Sequence, residues 1–333
     1  MMRDFWVGAL YAAVATLIGV VALFWFGLGM PGRSYVGPLP PATREEDDLA
    51  ARLKRHVIAV ASAPHNIRHY DNLEKAARYI EDVLAAEDYR VVPQPYDVTE
   101  WTVRNLEVAI EPRENASPTK TIVIGAHYDS CLDAPGANDN GSGVAALLEL
   151  ARLLKDLRPS RTRLLLAFFV NEEPPYFQTD DMGSLRYAQM LAERKEPVSA
   201  MISLETIGYF LDAPGSQQYP QPFGTVFSDR GNFVAFVGMP GSRSLVAEVM
   251  KSFRAHTDFP SIGGVAPGFI PGISWSDHGS FAEYGFRAMM ITDTAVFRYP
   301  HYHKPTDTPD RLDYERLARV TKGVERVVRE MAE

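Results

Sequence analysis

Three strongly apolar runs each stop on an ionisable residue, and this restricts the fold more than any other feature of the chain. TIVIGAHYDS brings His127 to the end of one run, RTRLLLAFFVNEE brings Glu172 and Glu173 to the end of a second, and AMISLETIG brings Glu205 to the end of a third. Short apolar runs rich in branched and aromatic residues read as buried strands. In an open α/β sheet, ligands bind in the crevice outside the carboxyl ends of the strands. The pattern therefore predicts one sheet, with His127, Glu172, Glu173 and Glu205 converging along one of its edges.

Helical periodicity separates these runs. Leu49, Leu53 and Val57 recur every four residues over about 44–62, and Leu73, Ala77, Ile80 and Leu84 form one stripe over about 71–87. Further helices are predicted at about 143–157, 184–194, 242–256 and 312–331, alternating with strands at YRVVPQPYDV, NLEVAIEP, TIVIGAH, RLLLAFFV, AMISLE, NFVAFVG and RAMMITD. Such alternation implies a three-layer α/β/α fold with a mixed, mostly parallel central sheet. Two irregular stretches, FLDAPGSQQYPQPFGTVFSDRG and HTDFPSIGGVAPGFIPGISWSD, are longer than most loops in a compact domain and are candidate pocket walls.

The amino terminus has a different composition. Residues 5–32 carry no charged side chain, and about 20 apolar residues suffice to cross a bilayer. The run is longer than the apolar region of a signal peptide and has no small-residue cleavage site after it. It reads as one uncleaved transmembrane helix, with Trp6, Tyr11 and Trp25 near its ends as interfacial aromatics. We therefore divide the chain into a membrane anchor at 1–33, a Pro/Gly-rich tether at 34–43 and one folded domain at 44–333, expected outside the cytoplasm. Arg3, Asp4 and Arg33 are the only charges before residue 34, so a chain of net charge −8 leaves −9 for the remainder. That acidity argues against nucleic acid as a partner. The lone Cys131 excludes an intrachain disulfide.

The ionisable residues suggest metal chemistry. His127 and Asp129 form an H-x-D unit in which the carboxylate can reach the imidazole and fix its tautomer. Asp139, in GANDNGSG, lies on a loop at the same sheet edge, before an apolar helix for which Ser142 is a candidate N-cap. Two adjacent carboxylates at the end of a buried strand repel each other unless a cation is present. Then one of Glu172 and Glu173 can bind the metal while the other takes a proton from water. Glu205 is a further carboxylate donor, and either His301 or His303 in HYHKPTDTPD supplies a second imidazole. The set is that of a metal-dependent hydrolase.

From about residue 70 onward, the segments GAHYDS, PGANDNGSG, NEEPP, SLETIGY, SDHGSF and YHKPTDTPD resemble, in this order and spacing, the zinc aminopeptidases of the bacterial leucyl aminopeptidase and aminopeptidase Y type. Glutamate carboxypeptidase and glutaminyl cyclase are relatives. The resemblance implies a peptide substrate and two zinc ions, His127 and Glu205 holding one, Glu173 and His303 the other, and Asp139 bridging them. It implies His303 rather than His301, through the pattern Y-H-x-x-x-D. On this reading Asp129 orients His127, and Glu172 is the general base for a metal-bridging water. Asp277 and Tyr302 would line the substrate pocket. Glu205 stands where many members carry Asp. Carboxypeptidase or dipeptidase action, a glutaminyl-cyclase-like acyltransferase with one zinc, and a non-catalytic binding domain are the alternatives. Cobalt or manganese would also suit such carboxylate-rich ligands.

Overall fold

The computed structural model describes residues 24–113 and 117–333, together with residues 6, 10, 11, 14, 16 and 19. Most of the expected transmembrane run lies outside the described residues. Among the described residues no helix is long and apolar enough to cross a membrane.

Two amphipathic helices open the domain. In α1 (Arg44–Val60) Thr43 and Glu46 form a reciprocal capping box, and Leu49, Leu53, Val57 and Val60 are buried. In α2 (Tyr70–Ala86) Leu73, Ala77, Ile80 and Leu84 form the buried stripe. The chain continues through β1 (Val92–Val98), β2 (Trp101–Ile110), β3 (Lys120–His127), α3 (Gly143–Leu153), β4 (Thr162–Phe169), α4 (Gly183–Glu193) and β5 (Val198–Glu205). It closes with β6 (Val234–Gly238), α5 (Arg243–His256), β7 (Ser261–Val265), α6 (Asp277–Glu283), β8 (Ala288–Thr292) and α7 (Tyr314–Ala332).

The eight strands form one sheet in the order β1-β2-β4-β3-β5-β8-β6-β7. Pairings β3–β4, β3–β5, β5–β8 and β6–β7 are parallel, and β1–β2, β2–β4 and β6–β8 are antiparallel. The sheet is mixed: strands joined through helices supply the parallel centre, and β1, β2 and the β6–β8 pairing add the antiparallel contacts. Its two faces are filled by alternate residues of the same strands. Ile122, Ile124, Leu164, Leu166 and Phe168 enter the larger core, to which α1, α2, α3, α5 and α7 contribute. Val123, Leu165, Ala167 and Phe169 point the other way, against Tyr187 of α4 and Phe281 of α6. Phe169 packs edge-on to Tyr187 at 5.4 Å and lies 6.0 Å from Phe281, which closes the second layer.

The second irregular stretch contains β7 and the start of α6, neither of which the sequence pattern revealed. SIGGV is too rich in glycine to read as a strand, yet a Cβ at Gly263 would meet Phe236 O at 2.4 Å. The glycine permits close packing against β6. Register then sets the working edge. His127 pairs with Phe169, Gly125 with Ser203, and Glu205 with Thr292. His127, the turn after β4 and Glu205 are thus level at the carboxyl ends of adjacent strands.

Candidate active site

Each segment that leaves this edge is held by hydrogen bonds that aim a side chain inward. His127 Nδ1 lies 3.2 Å from the Asp129 carbonyl oxygen. That contact fixes the proton on Nδ1 and leaves the Nε2 lone pair facing the crevice. The Asp129 carboxylate lies 3.6 Å from the same ring. It also accepts hydrogen bonds from the backbone amides of Glu172, at 3.0 Å, and Glu173, at 3.1 Å. Asp129 therefore positions the two glutamates as well as the histidine. The turn between β4 and this pair passes through Asn171 at φ 60°, and Glu205 is followed by Thr206 at φ 46°. His303 itself has φ 56°. Left-handed backbone at non-glycine residues is costly and clusters at functional sites.

The Asp139 loop is fixed from both sides. Asp307 accepts from the amides of Asn138 at 2.8 Å and Asp139 at 3.2 Å. Asn140 donates to Leu204 O at 2.8 Å and accepts from Thr206 N at 3.0 Å, which ties the loop to the end of β5. Ser142 does not cap α3. Its hydroxyl donates to Asn138 O at 2.7 Å and accepts from Ile207 N at 3.0 Å, so it braces the loop instead.

These supports bring the expected residues together. Asp139 Oδ1 lies 3.4 Å from His127 Nε2, and its Oδ2 lies 3.0 Å from His303 Nε2. Glu205 Oε2 is 3.4 Å from His127 Nε2, Glu173 Oε2 is 3.2 Å from His303 Nε2, and Glu172 Oε2 stands back at 3.9 Å from His127. His301 turns away and meets Thr306 Oγ1 at 2.9 Å. Ser276 Oγ donates to Glu205 at 2.8 Å, and the Tyr302 ring stacks on His303 at 3.8 Å. Asp277 is fully buried, and neither carboxylate oxygen has a hydrogen-bond partner. Asp307 and Ser276 are not named by the sequence pattern as site residues, and Cys131 enters there only as a lone thiol. Asp307 carries a signal there, as the acidic end of the H-x-x-x-D pattern begun by His303. Cys131 shares a potential ligand cluster with Glu173 and His303.

The electrostatics fit cations. The buried carboxylates Asp129, Asp139, Glu172, Glu173, Glu205 and Asp277 gather about the imidazoles of His127 and His303. Burial, with the charge on Asp139, pushes Glu173 up to about 8. Burial also raises Glu172 well above the carboxylate range, opposed by His127 and reinforced by Glu173 and Glu205, and it brings Asp277 to about 7. Burial would raise Asp139 too, but His127 and His303 hold it well below its usual value. Although these groups are at contact distance, His127 Nε2, Asp139 Oδ2 and Glu173 Oε1 are buried without hydrogen-bond partners. Their lone pairs are placed for a shared centre rather than for one another. Ligand atoms of His127, Asp139 and Glu173 all lie within 4.8 Å of one another, close enough to surround an ion.

An apolar cavity of about 120 Å³ opens beside Glu205 and Tyr302. Tyr219, Phe223 and Phe227 from the first irregular stretch and Ile273 and Trp275 from the second form part of its wall.

Comparison with known proteins agrees with this geometry. Residues 105–328 match the model of peptidase family M28. The chain is 38% identical over 299 residues to the uncharacterized protein YfbL of Escherichia coli, covering 87% of this chain and 90% of that protein. It superposes on BSAP, a zinc aminopeptidase from Bacillus subtilis, with a TM-score of 0.55 and 25% identity, over 70% of this chain but only 51% of BSAP. The chain thus spans about half the length of that enzyme. The glutaminyl cyclase of Fimbriiglobus ruber shares the fold, with a TM-score of 0.61 and 18% identity over 89% of this chain and 97% of the cyclase.

Proposed function

The chain belongs to peptidase family M28 and is a metallo-exopeptidase, and from this we propose that it is a zinc aminopeptidase working with two ions. The observation that carries the proposal is Asp139, whose two oxygens face different imidazoles, at 3.4 Å from His127 and 3.0 Å from His303. On this reading His127 and Glu205 hold one ion, Glu173 and His303 the other, and Asp139 bridges. Two ions so held would acidify water and polarise the peptide carbonyl.

The remaining chemistry falls to the protein. Glu172 stands 3.9 Å from His127, farther than Asp139 and Glu205, which both lie at 3.4 Å. Standing back from the imidazoles, it would take a proton from the attacking water and return it to the amine as the C–N bond breaks. Asp129 keeps Glu172 in place through its backbone amide. The apolar cavity beside Glu205 is sized for one side chain of the substrate.

A glutaminyl-cyclase-like transferase shares only the fold. The full donor set, with two imidazoles and a bridging carboxylate, favours hydrolysis over a one-zinc transferase or a binding domain. We further propose that the apolar amino terminus anchors the enzyme in a membrane, with the domain outside the cytoplasm. The charge-free run of residues 5–32 supports this.

Mass analysis of short peptides separates the readings. An aminopeptidase shortens a peptide with a free amine from its amino end and spares the acetylated form. A cyclase removes only ammonia from a peptide that begins with Gln. Loss of residues from the carboxyl end would overturn the aminopeptidase assignment.

A further inference from the structure

The amino-terminal segment does not leave the domain at residue 44. Arg243 of α5 donates from Nε to Phe26 O at 2.7 Å and from Nη2 to Gly29 O at 3.0 Å, and its guanidinium lies 4.5 Å over the Phe26 ring. About three helical turns later on α5, Arg254 donates to Pro31 O at 2.8 Å and Gly32 O at 3.2 Å. Ser34 Oγ then accepts from Ser261 N, on β7, at 2.9 Å. Residues 26–34 are thereby strapped along β7, the last strand of the sheet. Glycines on both sides allow the contact. A Cβ at Gly27 would stand 2.7 Å from Val265 O, and one at Gly264 would stand 2.7 Å from Gly27 O.

The strap delivers a side chain to the substrate cavity. Leu28 lines the same cavity as Glu205 and Tyr302, together with residues of the two long loops. Phe24, one helical turn before it, stacks on Phe223 with ring centroids 6.3 Å apart. The segment therefore also braces the loop wall. An apolar residue has two uses here, since the same composition that suits lipid also completes an apolar pocket.

We propose that Leu28 is a specificity-determining residue. With Phe223 and Trp275 it bounds the pocket that receives the apolar side chain next to the scissile bond, so the amino-terminal segment sets substrate preference as well as location. This rests on the aminopeptidase reading above. Pockets of this kind discriminate by volume, and one methylene is worth about 10–200-fold.

The test uses the full chain in detergent, with the p-nitroanilides of Ala, Leu and Phe as probes. Wild type should prefer Leu and Phe. Leu28→Trp, which fills the cavity, should lower kcat/KM for Leu and Phe by at least about tenfold while leaving Ala within about twofold. Leu28→Ala should raise Phe relative to Leu. The double variant Arg243→Ala/Arg254→Ala, which releases the strap, should shift the ratio in the same direction as Leu28→Ala. The proposal is overturned if both Leu28 variants keep the wild-type ratios, or if they depress all three substrates equally, as a purely structural role would. A wild-type chain that releases no amino acid from any of the three would overturn the aminopeptidase reading and this proposal with it.

Discussion

The Asp307 carboxylate holds the backbone amide of Asp139 at 3.2 Å, across 168 positions of sequence, while its other oxygen holds the amide of Asn138 at 2.8 Å. Tyr299 donates to the same carboxylate at 2.7 Å. The residue that faces both imidazoles is therefore aimed by one that faces neither. Groups that orient metal ligands typically contribute 10–100-fold to affinity. Asp307→Ala should weaken zinc binding by about that factor with little loss of secondary structure. Competition with a chromophoric chelator measures it, and unchanged affinity would refute the role.

Asp129 links the two halves of the site, because it contacts His127 and holds the amides of Glu172 and Glu173. Asp129→Asn keeps one good acceptor where two are used. Metal affinity and kcat should both fall, each by about 10–100-fold. Titration of metal and steady-state kinetics on the same preparation check this. A change in one without the other would show that Asp129 serves only one partner.

Glu205 reaches within 3.4 Å of His127 and is steadied by Ser276 at 2.8 Å, which is itself 2.9 Å from Ser203 Oγ. Glu205→Ala should lower zinc content from about two to about one ion per chain. Ser276→Ala should keep both ions but weaken one of them by a few-fold up to about tenfold. Metal analysis after dialysis against graded chelator distinguishes the two. Two tightly held ions in Glu205→Ala would remove Glu205 from the ligand set.

Away from the site, Glu149 of α3 is buried against His56 and Arg52 of α1 and Arg152 of its own helix, at 3.1, 3.1 and 2.8 Å. Burial works against its ionisation, but His56 and Arg152 outweigh it and hold the carboxyl down to about 2 from 4.5. A depressed carboxyl stabilises the fold above its unfolded pKa, and that stabilisation is lost as pH falls through the folded value. Glu149→Gln should cost roughly 2–3 kcal/mol at pH 7, and the difference from wild type should vanish between pH 4.5 and 2. Urea unfolding at stepped pH measures it. A difference independent of pH would contradict the assignment.

Much of this architecture could be read from residue pattern. The apolar runs ending at His127, Glu173 and Glu205 read as buried strands, and their parallel pairing does place the charged ends together. Features that depend on backbone hydrogen bonding were not legible. Ser142 has the composition of a helix cap, but its hydroxyl turns to Asn138 and Ile207. Asp129 was expected to serve His127, and the amides of Glu172 and Glu173 claim its carboxylate as well. β7 was hidden because Gly263 and Gly264 suppress the strand signal while allowing close packing on both sides. The segment around Leu28 was hidden for a different reason, since an apolar run has the same composition whether it meets lipid or a pocket.

On the proposed mechanism Glu172 moves the proton while its neighbours hold the metal. Its most direct test is zinc content and peptide hydrolysis measured together on wild type and Glu172→Gln. Both proteins should hold about two ions, and kcat should be about 10²–10⁴-fold lower in the variant. A variant that keeps activity within tenfold of wild type, or that loses its metal along with its activity, would contradict it.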